Sequence, residues 1–159
     1  MIVIVMGVSG AGKTTVGAAL AHATDSVFLD ADDFHPPQNV AKMASGTPLG
    51  DEDRWTWLDR LNGELRKHEA KNEPAVLACS ALKAVYRSRL MEGLPRARIV
   101  YLSASYEAIA GRVATRKHKY MPASLLESQF RTLEPPSGAL EVDATLTVDE
   151  AVARIVAGL

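Results

Sequence analysis

The chain has 159 residues, 47% of them hydrophobic and 23% charged, which is enough for one compact core and excludes a disordered chain or two ordinary domains. Lys+Arg 18 against Asp+Glu 19 gives a formal net charge of -1, which removes the basic footprint of a dedicated nucleic-acid or anionic-membrane binder. Cys79 is the sole cysteine, so an intramolecular disulfide framework and a cysteine-built zinc cluster are excluded, and a reducing compartment is the simpler setting.

The chain opens with Ile2-Val3-Ile4-Val5-Met6, an apolar run that reads as a buried strand. It has no basic flank and passes straight into glycines, unlike a signal peptide. No other stretch approaches the roughly 18 uninterrupted apolar residues of a spanning helix, so a cytoplasmic protein with no membrane partner is expected. Further strands are predicted near 26–30, 75–79, 97–103 and 140–145. Helical patterns fall between them at 13–23, 37–44, 52–69, 83–92, 105–116, 122–132 and 148–158. Short β-branched runs alternating with longer helical patterns are the signature of βαβ units. Val76-Leu77-Ala78-Cys79 and Ile99-Val100-Tyr101-Leu102 are almost continuously apolar, as strands buried on both faces must be. The expected fold is therefore α/β: a three-layer αβα domain spanning 1–159 around a five-stranded parallel sheet. Two segments leave this pattern. Residues 32–70 carry both tryptophans, and 116–138 begin basic and end in Pro135-Pro136-Ser137-Gly138. The first is expected to cover a substrate and the second to form a mobile lid.

Between the first strand and the first helix lies Gly7-Val8-Ser9-Gly10-Ala11-Gly12-Lys13-Thr14, followed by Thr15. This is G-x-x-x-x-G-K-[ST] in the context the motif requires. Its glycines allow successive backbone N–H groups to converge on phosphate oxygens, and the helix N-terminus adds partial positive charge. Lys13 is placed to reach the β- and γ-phosphates, and the Thr14 hydroxyl to meet Mg²⁺. A nucleotide is thus the expected ligand. A guanine-reading N-K-x-D element is absent, since no Asn-Lys pair occurs, and this argues against a GTPase switch.

The second predicted strand ends in Asp30, followed by Ala31-Asp32-Asp33. Carboxylates at the carboxyl end of a parallel strand sit where open α/β sheets bind ligands. Phosphoryl transfer to a hydroxyl calls for a carboxylate to take its proton and another to hold the metal's waters. Asp32 is the candidate base and Asp30 the metal-shell candidate. A solvated Asp-rich turn or a helix cap is the competing reading, and Asp33 fits the cap.

Leu29-Asp30-Ala31-Asp32-Asp33-Phe34-His35-Pro36, Lys42-Met43-Ala44-Ser45-Gly46-Thr47-Pro48-Leu49, Asp51-Glu52-Asp53-Arg54 and Cys79-Ser80-Ala81-Leu82-Lys83 together resemble the P-loop gluconokinases. Ser128-Gln129-Phe130 with Leu133-Glu134-Pro135 extends the match, which runs in order along nearly the whole chain. The sequence departs from the family's usual pattern at Ala31, Thr56 and Lys119-Tyr120. The resemblance implies a nucleoside-kinase-like fold, ATP-dependent phosphorylation of D-gluconate with Mg²⁺, and a small cytoplasmic homodimer. A shikimate-type kinase would share the P-loop and the Asp-x-Asp without needing the Lys42–Leu49 and Cys79–Lys83 segments. A nucleotide-binding regulatory protein is the alternative from another class.

An aldonic acid presents a carboxylate and a row of hydroxyls, so its site needs a forked cation and neutral hydrogen-bonding groups. Arg54 and Arg87 fit the first demand, with Lys83 one helical turn before Arg87. Surface pairing of Arg54 with Asp51 or Asp53, or a solvated basic helix face for Lys83 and Arg87, is the plainer reading. His35 either donates to the acceptor or stabilises its turn. Arg112 and Arg116 are four apart at the end of a helix leading into the second excursion, placed to meet the transferring phosphates, although Arg116 also suits a helix C-terminus through the dipole. Cys79 and Trp55 are expected to pack, Trp57 to pack or shape the acceptor pocket, and His22 and His68 to lie on helix surfaces. Adenine contacts are expected from the lid base and from Ala144 to Thr147.

Overall fold

A computed structural model of the chain describes residues 1–114 and 123–159. Five strands form one parallel sheet: β1 (Ile2–Met6), β2 (Val27–Asp30), β3 (Ala75–Ala78), β4 (Arg98–Ser103) and β5 (Leu140–Asp143), in the order β2-β3-β1-β4-β5. Helices α1 (Lys13–Ala23), α2 (Pro37–Ala44), α3 (Asp51–Ala70), α4 (Ala84–Leu90), α5 (Tyr106–Ala114), α6 (Ala123–Thr132) and α7 (Val148–Gly158) alternate with them. Parallel strands with both faces covered give the three-layer arrangement that the alternation predicts.

The period of two along each strand sorts its side chains into two cores. Val3 and Val5 of β1, Val76 of β3 and Val100 and Leu102 of β4 pack with α1, α5, α6 and α7. Ile2, Ile4 and Met6 point the other way, with Leu77 and Tyr101, onto Trp57, Leu58, Leu61 and Leu65 of α3 and Tyr86 and Leu90 of α4. Every residue of β1 is buried, so the P-loop that follows it leaves the centre of the sheet.

The observed boundaries differ from the predicted ones by a few residues, for identifiable reasons. β5 stops at Asp143 because its carboxylate accepts from Thr145 N (2.8 Å) and Thr145 Oγ1 (2.6 Å), turning the chain off the sheet. The helix pattern over 83–92 shortens to α4, and the buried Asn62 amide donates to Leu90 O and Glu92 O, both at 2.8 Å, satisfying carbonyls at its end. The turn after β2 is a 3₁₀ segment over Ala31–Phe34, capped by Asp30, whose side chain accepts from Asp32 N at 3.0 Å. Asp30 thus caps this turn and Pro36 occupies the N-cap of α2, so Asp33 caps neither. His68 is not a surface residue either: its ring is largely buried between Glu64 and Glu73.

Candidate active site

The P-loop, 7–14, runs from β1 into α1 at the carboxyl end of the sheet. Gly12, immediately before α1, has φ +93, and Gly10 has φ +85. A Cβ on Gly10 would sit 3.0 Å from Val113 and 3.1 Å from Ile109, so conformation and space both demand glycine there. Lys13 Nζ donates to Val8 O at 3.0 Å, closing the side chain over its own loop. Burial lowers its pKa, partly offset by Asp32, Cys79 and Asp30. Gln129 of α6 makes a two-point contact with the loop, accepting from Ser9 N at 2.7 Å and donating to Ser9 Oγ at 3.1 Å.

Thr14 Oγ1 donates to Asp30 Oδ2 at 3.0 Å, so a hydroxyl and a carboxylate, both hard oxygen donors, meet at the mouth of the P-loop. That pair fits Mg²⁺, which takes one or two protein oxygens and completes its octahedron with water and phosphate. Among the described residues, no group of three or more His, Cys, Asp or Glu could hold a metal ion.

Asp32 projects from the 3₁₀ turn with its side chain 84% exposed, 4.0 Å from His35 Nε2. The His35 side chain is only 3% exposed and stacks on Trp57 at 4.0 Å between centroids, 15° from parallel. Trp57 is anchored in turn by its Nε1–H on Ala31 O at 2.8 Å. Burial, helped by the Arg54 charge, lowers the His35 pKa to about 4, so the ring is neutral at physiological pH.

Arg54 makes neither of the surface pairs that its neighbours offer. Asp53 is occupied by Lys42 Nζ, 2.9 Å from both carboxylate oxygens, and by Gly50 N at 2.9 Å. Asp51 accepts from Lys83 Nζ at 3.1 Å and from the Tyr86 hydroxyl. These bonds hold both carboxyls below their ordinary pKa and raise that of Lys83. Arg54 lies over the Tyr86 ring at 4.9 Å and reaches Leu49 O at 3.4 Å. Its Nε is buried with no hydrogen-bond partner, an orphaned donor of the kind a ligand can satisfy.

Lys13, Thr14, Asp30, Asp32, His35, Arg54 and Lys83 line one cleft of about 1670 Å³, with Trp57, Tyr86 and Gln129 in its wall. Arg87 is the departure. It is buried, and its guanidinium donates to Ala81 O (2.8 Å), Leu82 O (3.1 Å) and Glu134 O (2.9 Å). It buttresses the loop after β3 and does not line the cleft. Arg112 donates to Gly10 O (2.9 Å) and Ala144 O (2.7 Å), strapping α5 to the back of the P-loop and to the loop after β5. Arg116, and with it Lys119-Tyr120, lies outside the described residues. Cys79 is buried, and desolvation pushes its thiol to about 12, which suits packing and not nucleophilic attack. Thr145 lines a shallower hollow of about 650 Å³ with Ser105, Asp143 and Arg154.

Asn39, Asp51, Tyr86, Gln129 and Glu134 were not singled out as site residues by sequence reading. Asp51, Gln129 and Glu134 do fall inside family-like segments. Glu134 Oε1 caps α4 by accepting from Ala84 N at 2.8 Å.

A family model described as an AAA domain matches residues 2–136. The thermosensitive gluconokinase of Escherichia coli K12 is 40% identical over 152 residues, covering 96% of this chain and 81% of that protein. The gluconokinase of Gluconobacter oxydans is 46% identical over 134 residues, 84% of this chain and 75% of its own. Among solved structures, a gluconokinase from Sinorhizobium meliloti superposes with TM-score 0.90 at 42% identity, over 98% of this chain and 89% of that one. A shared fold, a P-loop facing a carboxylate, and identity of this size over nearly full length agree: the chain belongs to the gluconokinase family.

Proposed function

We propose that this protein transfers the γ-phosphoryl group of ATP to D-gluconate, giving 6-phospho-D-gluconate. The observation that carries this is the cleft in which the P-loop faces an exposed carboxylate, Asp32, and a half-buried guanidinium, Arg54, whose buried Nε has no partner. Residues 7–15 cradle the triphosphate through backbone N–H groups, and Lys13 leaves Val8 O to meet the β- and γ-oxygens. Thr14 and Asp30 would hold Mg²⁺, which would supply positive charge to neutralise the phosphates. Asp32 accepts the proton of the acceptor hydroxyl as its oxygen attacks. Arg54 takes the gluconate carboxylate, its Nε finding the partner it lacks, with Lys83 beside it to hydrogen-bond the acid. Arg112, held on Gly10 O and Ala144 O beside the P-loop, and Arg116 are the arginines that would meet the transferring phosphates.

In this reading residues 32–70 cover the acceptor, and 116–138 close over the nucleotide to keep water from taking the phosphoryl group. The 159 residues act as one kinase domain, working in the cytoplasm as a homodimer, with no nucleic-acid or membrane partner. The near-zero net charge and the lack of a helix long and apolar enough to cross a membrane among the described residues support the last two points. The test is ADP release from Mg-ATP with D-gluconate, other aldonic acids, shikimate or no acceptor. Strong dependence on D-gluconate is expected. Equal slow release in every case would overturn the reading and favour a nucleotide-binding regulator.

A further inference from the structure

We propose that Asn39 fixes the tautomer of His35, so that the His35 Nε2–H holds the acceptor hydroxyl beside Asp32 with one lone pair left facing the transferring phosphoryl group. This rests on the reading of the cleft as a gluconate kinase site. It adds a positioning residue, Asn39, that has no contact with the nucleotide or acceptor, and a defined donor role for His35.

Asn39 is 1% exposed, on the first turn of α2. Its Nδ2 donates to Asp53 O at 2.7 Å. A carbonyl can only accept, so this bond fixes which end of the amide is NH₂. The same Nδ2 lies 3.3 Å from His35 Nδ1. A nitrogen already committed as a donor presents its second N–H to the ring, so Nδ1 must carry the lone pair. In a neutral imidazole the proton is then on Nε2. A half-turn of the ring would keep its stack on Trp57 but put a carbon where Nδ1 now meets Asn39 Nδ2, forfeiting that bond. The charged groups around it, Asp32 at 4.0 Å and the Arg54 guanidinium, leave it neutral, because burial and the Arg54 charge together disfavour the imidazolium.

His35 Nε2 and Asp32 Oδ1 are 4.0 Å apart, too far to bond directly. An oxygen about 2.8 Å from each fits that gap at ordinary hydrogen-bond distances. A substrate hydroxyl placed there donates its proton to Asp32 and accepts from Nε2–H. Its carbon, its proton and one lone pair are then assigned directions, and the remaining lone pair is the one free to attack. In the transfer the hydroxyl oxygen bonds to the γ-phosphorus, and the bond from phosphorus to the β–γ bridging oxygen breaks. That electron pair leaves with ADP, and the hydroxyl proton passes to Asp32. His35 neither gains nor loses a proton; its contribution is orientation.

Long-range ¹H–¹⁵N NMR of the full chain with ¹⁵N-labelled histidine reads the tautomer directly. His35 is expected to show an unprotonated Nδ1 and a protonated Nε2, and an Nδ1–H signal would overturn the proposal. In a folded Asn39→Ala protein, kcat with D-gluconate should fall on the order of ten- to a hundredfold, with the ATP KM unchanged and a mixed tautomer signal. Unchanged kcat would overturn it. Should that variant fail to fold, His35→Gln, whose amide can supply an N–H, should retain more kcat than His35→Leu, and equal loss in the two would count against the donor role. A wild-type protein with the expected tautomer but no gluconate-dependent ADP release would overturn the kinase reading, and with it the hydroxyl's placement.

Discussion

Asp32 and Arg54 differ from Asp53, Lys42, Asp51 and Lys83 in what they offer a ligand in the cleft. Asp53 and Lys42 satisfy each other, as do Asp51 and Lys83; Arg54 keeps a buried Nε without a partner, and Asp32 lines the cleft opposite the P-loop as an exposed carboxylate. Asp32→Asn should therefore lower kcat by about 10²–10⁴, the usual span for a general base, with an unchanged melting temperature; near wild-type kcat would remove it as the base. Arg54→Ala should raise the gluconate KM more than tenfold, the loss expected for a charge-assisted contact of about 1.5–3 kcal/mol, and leave the ATP KM alone. Arg87→Leu should do the opposite. Three backbone carbonyls lose their donor, so thermal or denaturant unfolding should show a loss of about 2–4 kcal/mol with the gluconate KM of the surviving fold unchanged.

The contrast between Arg54 and Arg87 shows where sequence reading stops, and the reason lies in the elements. Spacing placed Lys83 and Arg87 on one helical face, but α4 begins at Ala84, and Lys83 is its N-cap with extended backbone, φ -99 and ψ 148. The i, i+4 rule holds only inside a helix, so Lys83 points into the cleft and Arg87 under the loop. The strands and the P-loop were legible because each is local: a β-branched run buried on both faces, or glycines followed by Lys-Thr, carries its own physics. Asn39, Asp51, Tyr86 and Gln129 were not legible as site residues because their significance lies in partners on other elements, which no spacing along one helix reveals. Gln129 is the clearest case, 120 positions from the Ser9 it contacts. Since α6 reaches the P-loop through that side chain, Gln129→Ala should weaken ATP binding severalfold in calorimetry while sparing the gluconate KM. Equal effects on both ligands would mean that α6 supports the whole cleft and not the P-loop.

At the scale of the whole molecule, the titrating groups give stability a definite pH dependence. Asp51, Asp53, Asp59, Asp143 and Glu150 all have pKa values lowered by hydrogen bonds to Tyr86, Lys42, Arg89, Thr145 and Thr147 respectively. A carboxyl whose folded pKa is depressed contributes stability that is complete above its unfolded value of about 4 and is lost as pH falls through the folded one. His35 acts in the same direction at higher pH. Its folded pKa of about 4 lies below the unfolded value of about 6.5, so between those limits the unfolded chain binds the extra proton, and acid favours unfolding. The melting temperature should thus be flat near pH 7–8, decline as pH falls from about 6.5 to about 4, and drop further below 4 as the carboxylates protonate. His35→Gln should abolish the first decline and leave the second, because glutamine has no proton to gain. A first decline of full size in that variant would place its origin in a group other than His35.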